Sequence, residues 1–454
     1  MDRLSVVILA AGKGKRMYSS LPKVLHPIGG EPMLARVIRG ARELSPERLI
    51  VVYGHGGEAV RQAIPDEDIV WVEQAEQLGT GHALKMALPA LPAEGSTLVL
   101  YGDVPLTRSE TLRDLVAAGG EGMAVLIDTV DDPTGYGRIV RGMDGTAVAI
   151  VEEKDCTAAE KAIREINTGM LALPNSQLAG WLHALGNANA QGEYYLTDVL
   201  ALAARDGVRT ATVDVAHGWE AAGVNNKRQL AELERILQRN NAEALLDAGV
   251  TLADPARIDI RGRLEHGRDV AIDVNCVFEG RVTLGDDVQI GANCILKNVT
   301  VAAGTRIAPF SLLEDATVGA DCRIGPYARL RPGAELAAQV HIGNFVEIKK
   351  SRVGVGSKVN HLTYIGDTSI GSKVNVGAGC VTVNYNGVDK FRTTIGDNVF
   401  VGSGTLMVAP VTLEDGSTVG AGSVITRTAP AGELTLSRAR QVTIPGWQRP
   451  LKKK

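Results

Sequence analysis

Apolar residues follow two different rhythms along this chain. In the first half, short aliphatic runs at 5–9, 49–53, 69–72, 98–101 and 123–129 alternate with stretches such as 33–44 and 81–88, where apolar residues recur at helical spacing. Unbroken Val, Ile and Leu runs predict strands buried on both faces. Their alternation with helices predicts an α/β domain with a mainly parallel sheet, whose ligands sit beyond the carboxyl ends of the strands. Over 226–248 the rhythm is helical throughout. Leu230, Leu233, Ile236 and Leu237, then Leu245 and Leu246, recur among Arg, Glu and Gln. This spacing predicts one amphipathic connecting helix of about six turns.

From about residue 250 the rhythm has a period of six. The pairs Leu284-Gly285 and Ile290-Gly291 stand six apart, as do Val318-Gly319 and Ile324-Gly325, Ile370-Gly371 and Val376-Gly377, and Ile395-Gly396 and Val401-Gly402. A hexapeptide period marks a parallel β-helix, in which one aliphatic residue per six points into a narrow prism and a small residue turns the corner. Residues 258–425 predict about nine coils, roughly 45 Å at ~4.8 Å per rung. Cys276 and Cys294 lie one coil apart and are expected to stack as small apolar fillers. The phase slips at 307–318 and again at 384–394, where NYNGVDKFRTT reads as a loop expelled from the coil and a functional candidate. The implied divisions are 1–226, a helix at 227–249, and 250–454.

Composition fits this picture. The 52 glycines and the 4% aromatic content suit a hexapeptide prism better than an ordinary core. A net charge of -4 and a single basic run at 452–454 argue against a nucleic-acid binder. The first residues carry no signal-peptide pattern, no apolar run reaches the ~18 residues a membrane helix needs, and the five cysteines form no C-x-x-C pair. A cytoplasmic protein with neither structural zinc nor disulfides, and with no membrane insertion, is expected.

The chemistry begins at LAAGKGKRMYSSLPKVLHPIGG, residues 9–30. Small residues at Ala10, Ala11, Gly12 and Gly14 let the backbone approach a ligand. Lys13, Lys15, Arg16 and Lys23 supply four cations. This is a candidate phosphate cradle, but neither a Walker A loop nor a dinucleotide fingerprint. A solvated basic loop is the bland alternative.

LAAGKGKRMYSSLPK resembles the signature of sugar-1-phosphate nucleotidyltransferases. The match continues in order through QAEQLGTGHA, YGDVP, GYGRI, VEEKD, EINTG, GEYYLTDV and GVNN. Together with a hexapeptide half bearing NHLTYIGD at 360–367, the whole chain resembles the bacterial family of bifunctional N-acetylglucosamine-1-phosphate uridyltransferases and glucosamine-1-phosphate N-acetyltransferases. Lys15 departs from the Thr or Ser usual in that signature. The resemblance implies a Rossmann-like nucleotidyltransferase domain followed by a left-handed parallel β-helix, assembled as a homotrimer.

The resemblance also implies roles. Leu9, Ala10, Ala11, Gly12, Gln74, Gly79 and Thr80 would hold the uracil and ribose of UTP, with Tyr101 and Gly102 beside them. Gly137, Glu152, Asn167, Tyr195 and Thr197 would grip the N-acetyl sugar. Arg16 and Lys23 are the candidates for neutralising phosphate charge. Asp103 and Asn225 form a two-residue set for Mg²⁺, which completes its shell with phosphates and water.

For acetyl transfer, His361 is the candidate general base, since imidazole titrates near neutral pH. Glu347 and Asn384 are the candidates for orienting it. Arg331, Lys349, Tyr364 and Asn375 match the grip on glucosamine-1-phosphate. Ala378, Asn384, Tyr385, Ser403, Ala421 and Arg438 match the acetyl-CoA groove. A lone His on a coil edge is more often a plain surface residue, and short side chains are what coil corners require anyway. Two other readings stay open: a nucleotidyltransferase whose β-helix is only a trimerisation scaffold, and a non-catalytic sensor of sugar nucleotides.

Overall fold

The computed structural model describes residues 3–54, 56–450 and 452. The chain divides into two compact units, Met1–Leu237 and Gln238–Lys454.

The first unit is built on a nine-stranded sheet. Its strands are β1 (Leu4–Leu9), β2 (Arg48–Tyr53), β3 (Ile69–Glu73), β4 (Ser96–Tyr101), β5 (Met123–Thr129), β6 (Gly137–Arg141), β7 (Ala147–Val151), β8 (Glu165–Pro174) and β9 (Thr210–Asp214). Their spatial order is β9-β5-β8-β4-β1-β2-β3, with β6 on β8 and β7 on β6. Strands β1 to β4 are parallel neighbours, as the aliphatic runs predict, and β9 runs parallel to β5. Strand β8 runs antiparallel to both β4 and β5.

All six residues of β1 are buried, which explains why the run shows no alternation. Val6 and Ile8 face one core with Leu34 and Ile38 of helix α1 (Met33–Arg42). Val7 and Leu9 face another, with Ala83, Leu84 and Ala87 of helix α2 (Thr80–Ala87) and Leu178, Trp181 and Leu182 of helix α3 (Asn175–Ala184). From β1 the chain steps to β2 and β3 on one side and later returns to β4 on the other. Such a reversal opens a crevice at the strand ends. Leu9 pairs with Tyr101 across it.

Helix α4 (Lys227–Asp247) occupies the predicted amphipathic stretch, and the division between the units falls within it. Leu233 and Leu237 pack in the first unit with Met17, Ile28 and Val224. Ala242 and Leu245 join the core of the second. Gln238 donates to the Ile260 carbonyl (2.9 Å) and accepts from the Ile260 N–H (2.7 Å), so its amide does the work of a strand neighbour.

The second unit is a parallel β-helix. One sheet runs through eleven rungs from Thr251 to Thr435, longer than the nine coils expected over 258–425. The extra rungs, Thr251–Leu252 and Leu434–Thr435, lack the aliphatic-Gly pair that marks most of the others. The residue before each marker glycine is buried, as at Ile290, Ile324, Val376 and Val401. The first phase slip is a change of coil length. Gln289 pairs with Arg306 and Arg306 with Arg323, seventeen residues apart each time. The second is an insertion, because Asn375 pairs with Phe400. Its extra residues fold back on themselves through the Tyr385–Lys390 bridge. Cys276, Cys294 and Cys322 are buried fillers without disulfide partners, and burial pushes the first two thiols up to about 11 and about 12.

The outward rows differ in chemistry. One carries Thr283, Thr300 and Thr317. Another carries Val277, Ile295 and Leu312. At a neighbouring corner Phe310, Tyr327 and Phe345 stack face to face, with centroids 4.9 and 5.2 Å apart, and remain exposed.

Candidate active sites

The loops after β1 and β4 enclose a cavity of about 460 Å³ in the first unit. Leu9, Ala10, Ala11, Gly12, Lys23, Gln74, Gly79, Thr80, Tyr101 and Asp103 all line it. Gly102 packs behind them against Ala10. Gly79 has no room for a side chain: its φ is +111°, and a Cβ would stand 2.6 Å from the Tyr194 carbonyl. Its own carbonyl accepts from Gln74 Nε2 (3.1 Å). Lys13, one of the four cations of the expected cradle, lines the cavity too, as do Gln77 and Glu193, which were not singled out in the sequence. Gln77 donates to the Ala11 carbonyl (2.6 Å) and braces the glycine-rich turn. It lies inside the QAEQLGTGHA stretch, which was the available signal.

Two of the cations behave differently. Lys23 ion-pairs with Asp103 and reaches Asn225 Oδ1 at 3.3 Å. The carboxylate of Asp103 and the amide oxygen of Asn225 thus converge on one positive charge. This is the hard-oxygen pair Mg²⁺ accepts, and it fits that ion. Arg16, by contrast, is exposed and lines no part of the cavity. Met17 is buried and pins the short turn Lys15–Met17, which leaves Lys15 and Arg16 facing outward.

Beyond Tyr101 lie the groups expected to hold the sugar. Glu152 accepts from Thr197 Oγ1 (3.0 Å) and borders Gly137. Burial raises the Glu152 pKa, partly offset by the Thr197 bond. Burial, and then the charges of Glu152 and Asp103, push the Tyr101 phenol well above its ordinary value, so it serves as a neutral hydroxyl. Asn167 is buried and accepts from the Gly169 N–H (2.9 Å). Tyr195 is buried, with Gln191 and Asp155 near its hydroxyl, and burial raises its pKa.

In the β-helix, one row of residues runs along a corner through successive coils: Asn344, His361, Ala378, Ser403 and Ala421. Asn344 pairs with His361. The Gly379 N–H donates to the His361 carbonyl (3.1 Å), Gly404 to Ala378 (2.7 Å) and Gly422 to Ser403 (2.8 Å). Ser403 Oγ accepts from the Ala378 N–H (3.2 Å), and Arg438 Nη1 donates to the Ala421 carbonyl (3.1 Å). His361 and four of the six expected acetyl-CoA residues, Ala378, Ser403, Ala421 and Arg438, therefore line up along one row of the coil, while Asn384 and Tyr385 lie outside it.

The partner of His361 differs from expectation. Its Nδ1 lies 2.9 Å from Asn344 Oδ1. Glu347 is instead engaged by Arg331 (2.7 Å), and Asn384 donates to Asp367 (2.5 Å). Coil stacking decides this, because Asn344 is directly one rung from His361 while Glu347 pairs with Tyr364. With the amide oxygen toward the ring, Nδ1 carries the hydrogen and Nε2 keeps a lone pair.

Arg331, Lys349 and Tyr364 gather on the adjoining face. The hydrogen bond and charge of Lys390, beside Lys349, hold the Lys349 pKa below its ordinary value. Two ammonium groups side by side, with Arg331 nearby, concentrate positive charge there. Lys390 was missed because it lies in the expelled loop, where spacing gives no register. Tyr385 lies in the same loop and donates to the Gly387 carbonyl. Asn375 stands in a different row, between Lys358 and Phe400, on another sheet from Tyr364.

Comparison with known proteins extends these observations over the chain. Residues 6–251 match the family described as MobA-like NTP transferase domain, 260–353 the GMPPB C-terminal domain, and 392–427 the hexapeptide repeat of succinyl-transferase. Relatives named bifunctional protein GlmU align along the full length. That of Chromobacterium violaceum is 75% identical and covers 100% of both chains. Those of Nitrosospira multiformis and Neisseria meningitidis serogroup C are 59% and 60% identical, each covering 100% of this chain and 99% of its own. Identity of that order across both the nucleotide-binding sheet and the β-helix makes this chain a member of the GlmU family of bifunctional proteins.

Proposed function

We propose that the chain carries out two consecutive reactions of UDP-N-acetylglucosamine synthesis at two separate sites. The β-helix unit acetylates glucosamine-1-phosphate with acetyl-CoA. The sheet unit then transfers UMP from UTP to N-acetylglucosamine-1-phosphate and releases pyrophosphate. The observation that carries this reading is the presence of a nucleotide cavity and a His-bearing groove on one chain that matches bifunctional relatives from end to end. A passive scaffold or a sensor needs no such groove.

In acetyl transfer, His361 Nε2 takes a proton from the sugar amine as its nitrogen attacks the thioester carbonyl and the CoA thiolate leaves. Asn344 holds the ring in the tautomer that can do this. Ser403 stands where a hydroxyl can steady the developing oxyanion. Arg331, Lys349 and Lys390 hold the sugar phosphate, with Tyr364 and Asn375 on the ring. Asn384, Tyr385, Ala378, Ala421 and Arg438 form the CoA groove.

In uridyl transfer, both reactants are anionic, so alignment and charge neutralisation carry the chemistry. Leu9, Ala10, Ala11, Gly12, Gln74, Gly79 and Thr80 position the nucleotide. Glu152, Asn167, Tyr195 and Thr197 position the sugar. Asp103 and Asn225 would hold Mg²⁺, which supplies charge neutralisation at the phosphates. Lys23 then turns to the same phosphates, and Arg16 reaches them if its turn rotates inward.

The working assembly is a homotrimer through the β-helix. The Val277, Ile295 and Leu312 row and the Phe310, Tyr327 and Phe345 corner favour this, because they leave apolar surface open along one side. So does the placement of Tyr364 and Asn375 on different faces, which suits a sugar site shared between copies. The functional divisions are 1–226, 227–249 and 250–454. No helix among the described residues is long and apolar enough to cross a membrane, and a cytoplasmic location suits these substrates.

Reciprocal variants test the assignment. His361→Ala should lose acetyl transfer and keep uridyl transfer, and Asp103→Ala the reverse. Loss of both activities in either variant counts against separate sites.

A further inference from the structure

A second cavity, of about 550 Å³, opens between α2 and α3, larger than the nucleotide cavity and used by neither reaction. Its apolar wall includes Leu78, Met86, Leu88, Leu182 and Leu185, with Leu78 and Met86 38% and 39% exposed. The basic side chains that line it are His82, Lys85 and His183, beside the phenol of Tyr194, and no carboxylate does. Lys85 has no ion-pair partner among the described residues. An apolar enclosure whose charge-bearing groups are all nitrogenous selects one kind of guest, an apolar body with a single anionic group.

The cavity also shares structure with the nucleotide site. Gly79 and Thr80, where α2 begins, line the nucleotide cavity, while Gly81, His82 and Lys85 of the same helix line this one. Gln74 Nε2 donates to the Gly79 carbonyl and lies 3.1 Å from His82 Nδ1, which must accept from it. An anion beside His82 favours the imidazolium, whose Nδ1 carries a hydrogen and cannot accept.

We propose that this cleft is a regulatory site for a small amphipathic anion, and that filling it weakens UTP binding by breaking the Gln74–His82 bond. The coupling half of the proposal rests on the reading of Gln74 and Gly79 as nucleotide-holding residues. The test uses the full chain, with 8-anilinonaphthalene-1-sulfonate as probe and N-phenyl-1-naphthylamine, which lacks the sulfonate, as control. Fluorescence titration should give about one sulfonate probe per chain. Lys85→Glu should weaken that probe about 10-fold and leave the neutral control within about twofold, a split expected of a charge-assisted contact. Calorimetric UTP titration should show at least ~5-fold weaker binding with the probe saturating, and no such change in Lys85→Glu. Probe binding that survives Lys85→Glu unchanged, or UTP binding indifferent to the probe in wild type, overturns the proposal. Failure of UTP to bind without any probe faults the nucleotide-site reading instead, and the Lys85→Glu comparison still decides the cleft.

Discussion

His361 and Glu152 show how a neighbour sets what a side chain can do. Asn344 accepts at His361 Nδ1, so Nε2 is the nitrogen left for the proposed base role. Replacing Asn344 by Ala should lower kcat for acetyl transfer about 10- to 100-fold, part of the ~10²–10⁴ that general-base catalysis contributes. Uridyl transfer should not change. Asn344→Asp should restore much of the rate but move the acid limb of its pH profile upward. A carboxylate beside the ring favours imidazolium, and only the neutral ring is a base. An unshifted profile in Asn344→Asp would mean the contact only packs the corner. Burial raises the Glu152 pKa, so stability is lost as pH rises from its unfolded pKa through its folded pKa, and the full penalty of its charge remains above that. Glu152→Gln should therefore raise the melting temperature at pH 7, with the gain fading at low pH, while KM for N-acetylglucosamine-1-phosphate increases. A lower melting temperature at pH 7 would contradict this.

Regular elements were the most legible in the sequence. Strands β1 to β5, helix α4 and the hexapeptide coils all follow a period that burial imposes, and each appears where its rhythm predicts. Strands β6, β7, β8 and β9 were not anticipated: β6, β7 and β9 are five residues each with a short apolar signal, and β8 carries Glu165, Asn167 and Thr168 ahead of its apolar run. Motifs placed Glu152 and Asn167, but only pairing brings them to Tyr101. The acetyl groove was legible as a residue list and not as a row, because coil length varies and the expelled loop breaks the count. Within that row's neighbourhood Gly366 has no room for a side chain. A Cβ there would lie 2.3 Å from the Tyr364 hydroxyl and 2.9 Å from Asn384 Nδ2. Gly366→Ala should cost about 1–3 kcal/mol of stability, the usual range for overpacking, and raise KM for glucosamine-1-phosphate. Chemical denaturation and steady-state kinetics read both effects. Unaltered KM would mean Tyr364 does not touch the sugar.

As a chain, the protein joins two chemistries whose residues do not overlap: every group assigned to uridyl transfer lies in Met1–Leu237 and every group assigned to acetyl transfer in Gln238–Lys454. If the proposed homotrimer forms, native mass spectrometry should give a mass of three chains. A monomer with full acetyltransferase activity would rule out a shared sugar site. The decisive experiment is an omission series followed by mass spectrometry, in which purified protein receives glucosamine-1-phosphate, acetyl-CoA, UTP and Mg²⁺ with each left out in turn. UDP-N-acetylglucosamine should form only in the complete mixture, and N-acetylglucosamine-1-phosphate should accumulate when UTP is missing. If added N-acetylglucosamine-1-phosphate is uridylated but acetyl-CoA is never consumed, the β-helix is only a scaffold and the two-site account is wrong.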